Sequence, residues 1–151
     1  MLTPSDLLDA LTQSCRPVLP AGTTVLKSGD PAASTLSSVW LECWVDRIGS
    51  PLARRNSPLQ SDLSITVNCF GRPPATPSQV QALAETIRQH LTRLQLPALQ
   101  EAETVALITL YEAEMRDLSR PATLKSAGLL QWSVTLRGSL QPLQSTTLES
   151  A

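Results

Sequence analysis

Histidine, phenylalanine and tyrosine are almost missing from this chain of 151 residues, which has one of each. The lone histidine is His90. As a catalytic base it would need a nucleophile and an orienting group, and the sequence nominates neither. Cysteine is sparse and dispersed: Cys15, Cys43 and Cys69 form no CxxC pair and no Cys/His cluster. An odd count, with no charged and apolar leader zones at the start, leads us to expect free thiols in a reducing compartment. The glycines, Gly22, Gly29, Gly49, Gly71, Gly128 and Gly138, are scattered at turns. They build no phosphate-cradling loop, and there is no GxSxG. No apolar run approaches the ~20 residues that cross a membrane as a helix. Charge is also short, at 17% of residues against a typical ~25%. The formal net charge of −1 gives no global attraction for nucleic acid. With aromatics at 3%, a core must be built from Leu, Val, Ile and Ala.

What is present is alternation. Leu63, Ile65, Val67 and Cys69 interleave with Asp62, Ser64, Thr66 and Asn68. That period of two defines a strand over 60–70 with one dry and one wet face. Val39, Leu41, Cys43 and Val45 predict another over 39–45, whose other face carries Trp40, Glu42 and Trp44. Two tryptophans on a nominally polar face have two readings. They cover that face against a loop or helix, or they form a contact surface for another chain, where Trp is enriched. Further strands are expected over 23–27, 104–111 and 130–137.

Thr3-Pro4-Ser5-Asp6 reads as a helix start, with Leu7, Leu8, Leu11 and Cys15 at helical spacing over 4–16. Thr76-Pro77 with Gln79 makes a capping box. Val80, Leu83, Ala84, Ile87, Leu91 and Leu94 then form one apolar stripe, ended by Pro97. His90 falls off that stripe, as an ordinary exposed helix residue. The expected architecture is α+β: a mainly antiparallel sheet of about four to five strands with two helices on one face. Residues 1–138 are expected to form a single domain and 139–151 a flexible C-terminal tail.

Two connections are longer than hairpins require. Residues 47–60 carry Arg47, Arg54 and Arg55, and read either as an ordered arm against a neighbouring subunit or as a solvated loop. Residues 112–128 carry Glu112, Glu114, Arg116, Asp117, Arg120 and Lys125. Glu112, Glu114 and Asp117 could in principle serve a small Mg-dependent nuclease. Arg116 and Arg120 offer ion-pair partners that favour a solvated or inter-subunit charge cluster instead. Arg47, Arg54, Arg55, Glu112, Glu114, Arg116, Asp117 and Arg120 are accordingly nominated as subunit-interface residues. No catalytic, cofactor-binding or metal-binding residue is nominated.

The order of elements, read with the residues themselves, resembles the tail terminator (tail-completion) proteins of long-tailed bacteriophages. The likeness runs over 4–138: the opening helix, the strands 40–46 and 63–70, and the helix containing Leu83-Ala84-Glu85-Thr86-Ile87-Arg88-Gln89-His90-Leu91. It continues through Tyr111-Glu112-Ala113-Glu114-Met115-Arg116-Asp117-Leu118 to the return strand 130–137. The resemblance implies a structural virion protein of the phage neck, not an enzyme and without cofactors. It implies a hexameric ring that caps the head-proximal end of the tail tube and stops tube polymerisation. The implied partners are the tail tube protein and a head-tail connector or neck protein, with DNA passing through the ring and no membrane. Assembly would take place in the host cytoplasm. Another neck component or a tube-like subunit is the alternative within the same class.

Overall fold

A computed structural model describes residues 3–27, 38–49, 61–101, 103–120 and 129–143. The chain opens with helix α1 (Pro4–Cys15), whose Thr3 and Asp6 form a reciprocal capping box, followed by a 3-10 turn, Arg16–Val18. Then come β1 (Thr24–Lys27), β2 (Val39–Ile48), β3 (Ser61–Gly71), α2 (Pro77–Leu91), β4 (Gln95–Gln100), β5 (Glu103–Asp117) and β6 (Leu130–Pro142). The strands form one six-stranded sheet in the order β1-β2-β3-β6-β5-β4. β1 runs parallel to β2, and every other neighbouring pair is antiparallel. The α+β class is as expected, with a larger and mixed sheet.

The dry face of the sheet and both helices share one core. β3 contributes Leu63, Ile65, Val67 and Cys69, and β2 contributes Leu41 and Cys43. α1 lays Leu7, Leu8, Leu11 and Cys15 on it, and α2 lays Val80, Leu83, Ala84, Ile87 and Leu91. The capping box at Thr76 and Gln79 forms as the sequence predicts.

Three expectations needed correction. α2 stops at Leu91, not near Pro97. Thr92 leaves the helical region and Arg93 turns left-handed at φ 59, so the chain reverses into β4. Pro97 therefore lies inside a strand, which is tolerated because β4 is an edge. Second, β5 does not end at Tyr111. A bulge between Leu110 and Ala113 shifts its phase, and the strand continues to Asp117 with Ala113 and Met115 packed on the core. Residues 112–117 of the supposed polar connection are thus strand. Third, β6 continues past Gly138 to Pro142. Gly138 sits opposite that bulge, where an added Cβ would strike the Thr109 carbonyl and press on Leu110. It is a close-approach glycine within a strand rather than a strand end.

Candidate assembly surface

The helices cover one face of the sheet. The other face carries the alternate residues of β2, β3, β6 and β5, and their register sets them in rows. Glu42, Asn68, Ser133 and Arg116 form one row, and Trp44, Thr66, Thr135 and Glu114 the next. Arg47, Ser64 and Arg137 begin a third, which reaches Tyr111 across the bulge. That row lines a groove of about 490 Å³ with Asp62, Leu63 and Gly138. The Tyr111 hydroxyl donates to Ser139 Oγ at 3.0 Å. The Thr66 hydroxyl donates to the Asp46 carboxylate.

The two tryptophans part company. Trp40 is 6% exposed, stacked on Phe70 with ring centroids 5.3 Å apart, and the Arg72 guanidinium lies 4.7 Å above its ring. Its buried Nε1 has no hydrogen-bond partner among the described residues. Trp44 is 41% exposed, an outward-facing aromatic on β2. Trp40 therefore fits the covering reading, and Trp44 retains the contact-surface one.

The nominated residues divide between the two sides of the sheet. Arg47 lies on β2, at one side. Glu112, Glu114, Arg116 and Asp117 lie on β5, at the other. Arg120 bridges to Leu129 through paired backbone bonds of 2.8 and 3.1 Å. Arg54 and Arg55, and the arm they belong to, lie outside the described residues, as do Lys125 and the chain beyond Leu143. Among the described residues the ion pairs are Lys27–Asp9 and Arg88–Glu85, so neither Arg47 nor the acids of β5 are paired within that set.

The nuclease alternative loses its geometry. Glu114 stands in the row of Thr135 on the helix-free face, whereas Asp117 is opposite Trp132 on the helix side. Glu112 and Glu114 therefore do not converge with Asp117. Hydrogen bonds from the Ser119 hydroxyl and backbone N–H hold the Asp117 carboxyl below its usual range, so it stays an exposed anion. Among the described residues no group of His, Cys, Asp and Glu could hold a metal ion.

His90 corrects another expectation. It is half-buried, and its Nε2 shares a hydrogen bond of 3.0 Å with Ser14 Oγ, tying α2 to α1. Side-chain periodicity could not show this, because it requires the neighbouring helix. Tyr111, Asp62 and Arg137 were also missed as groove residues. Arg137 had a signal in the polar phase of its strand; Tyr111 had none, because the bulge hides its phase.

All three cysteines are buried free thiols. Burial raises the Cys15 and Cys43 thiols to about 12 and Cys69 further still. No helix among the described residues is long and apolar enough to cross a membrane.

No family model matches the sequence, and no curated protein matches it. Solved structures do. One, known only by a sequence code, superposes with a TM-score of 0.64 at 10% identity, over 96% of this chain and 100% of its own. A chain from the virion of a native gene transfer agent particle superposes at 0.55 and 11% identity, over 89% of this chain and 94% of its own. The sheath/tube terminator of an extracellular contractile injection system, in its extended state, aligns over 63% of its length at 14% identity. Its TM-score of 0.39 is too low to bear on the fold. The chain thus shares, nearly end to end, the fold of a protein built into a gene transfer agent virion.

Proposed function

We propose that this protein is a structural subunit of a phage-like particle, and specifically a tail terminator. In this reading it forms a ring, hexameric by the family resemblance, on the head-proximal end of the tail tube. It stops tube growth and offers the surface that meets a neck or connector protein. The carrying observation is the nearly complete overlap with a chain of the gene transfer agent virion. The sequence resemblance over 4–138 supports the finer assignment. The helix-free sheet face, with exposed Trp44 and its rows of mixed charge, supplies a surface suited to partners. A virion component acting through surfaces needs no reaction centre.

The test is electron microscopy of the purified protein, alone and mixed with tail tubes. Rings, and tubes capped at one end and halted in length, are the expected images. Dispersed monomers in both preparations, with tube growth unaffected, would defeat the proposal.

A further inference from the structure

Among the described residues the sheet is open along part of each side. β1 pairs β2 only from Trp40 to Cys43, so among the described residues the outer edge of β2 is unpaired over 44–48. On the far side, β4 pairs β5 only up to Thr109, and the turn after α2 covers Leu110 and Tyr111. Beyond them, among the described residues, the outer edge of β5 is unpaired over 112–117. Two notches of nearly equal length thus lie on opposite sides of one sheet.

We propose that these notches are the two halves of one joint, in which β2 of one copy pairs with β5 of the next. That the occupant is a second copy rests on the assembly-forming role proposed above. Three independent features of the geometry support the pairing. The first is direction. β2, β3, β6 and β5 alternate in sense, so β2 and β5 run oppositely within one molecule. A neighbour placed alongside in the same orientation therefore presents β5 antiparallel to β2, and the ladder crosses the joint unbroken.

The second is space. Within one molecule Trp44 and Glu114 share a row. Joining copies row for row would drive the end of the neighbour's β5 into β1. Sliding by two residues, about 7 Å, sets Trp44 opposite Arg116 and largely clears β1. It also brings β2 to its end at Ile48 just where the neighbour's turn at Arg93 and Leu94 begins. A stagger of this kind tilts strands relative to the axis of a closed assembly.

The third is side-chain matching. With Asp46 left in the bulge between Val45 and Arg47, both faces stay in phase. Trp44 then meets Arg116, Val45 meets Met115, Arg47 meets Glu114, and Ile48 meets Ala113. The first pair is a cation over an aromatic ring, the third an ion pair, and the other two are apolar contacts on the core side. A further slide of two residues would set Arg47 against Arg116.

The test is disulfide trapping. Directly opposed residues have Cβ atoms roughly 4.5–5.5 Å apart, close to disulfide reach. The native thiols are buried and do not compete. Mixing Arg47→Cys protein with Glu114→Cys protein under mild oxidation should give a linked heterodimer, with neither variant linking alone. A chain carrying both substitutions should give a ladder of linked oligomers. In parallel, Arg47→Glu and Glu114→Arg should each weaken self-association on the order of a hundredfold, and their combination should restore it. Both positions are exposed, so circular dichroism should be unchanged. A monomeric wild-type protein, an oligomer that forms without the 47–114 link, or single variants that link to themselves would each overturn the joint. The terminator reading fails separately: joined copies that ignore tail tubes would refute it while leaving the joint standing.

Discussion

Replacing Ile87 by alanine tests how α2 is docked, because Ile87 is completely buried between the helix and the sheet. Losing the carbons beyond Cβ forfeits about 2.5 kcal/mol of transfer free energy, at ~0.8 kcal/mol per methylene. The neighbours fill the space only in part, and the remaining cavity takes the loss to about 3–4 kcal/mol, within the range measured for such truncations. The companion variant is His90→Ala. It removes the bond to Ser14 Oγ, a half-buried contact whose hydroxyl can still reach water. A neutral hydrogen bond of this kind contributes about 0.5–1.5 kcal/mol. Urea titration followed by circular dichroism, at one fixed protein concentration, should therefore rank Ile87→Ala well below His90→Ala, with the latter measurably below wild type. Equal losses would show that the buried side of α2 is misassigned. No loss at all in His90→Ala would show that the bridge between the helices contributes nothing.

Alkaline pH should destabilise the fold. The folded thiols are raised from about 9 to about 12 or beyond, so above pH 9 the unfolded chain releases protons that the native chain retains. The contribution is fully present below pH 9 and is lost as pH rises, at up to about 1.4 kcal/mol per pH unit per thiol. Urea midpoints at pH 8, 9 and 10 should fall, and Cys15→Ala should fall less steeply; identical slopes would refute the assignment. A thiol reagent at neutral pH should react slowly with the native protein and find all three cysteines after denaturation; rapid native labelling would contradict their burial. Gly138→Ala should cost about 1–3 kcal/mol, because the Thr109 carbonyl has to move. A wild-type thermal midpoint in that variant would mean that the bulge yields freely.

The parts of the fold that were legible are those where one signal dominates. β3 has strict alternation over its whole length, and α2 begins with an unambiguous cap and a five-residue apolar stripe. β4 was hidden because Leu96, Pro97, Ala98 and Leu99 are all apolar or neutral, so no alternation stands out, and the proline looked like a helix stop. The end of β5 was hidden by its bulge. Ala113 and Met115 do alternate with Glu112, Glu114 and Arg116, but out of phase with Leu110, and the charges suggested a loop. For the candidate surface, charge and spacing pointed to Arg47 and to residues 112–117. Their position on opposite sides of one sheet depends on strand order, which local sequence does not encode. His90 was misjudged for the same reason, since its partner is 76 positions away.

Pro97 has a consequence for solubility. A strand that ends a sheet is a template on which foreign or misfolded chains can grow into fibrils. β4 is such a strand, yet its proline leaves a gap in the row of donors that a growing fibril would need. At the opposite margin β1, over the described residues, is the four-residue strand Thr24–Lys27, too short to seed much. Among the described residues both outermost strands are thus blunted against unwanted growth, which favours solubility at high protein concentration.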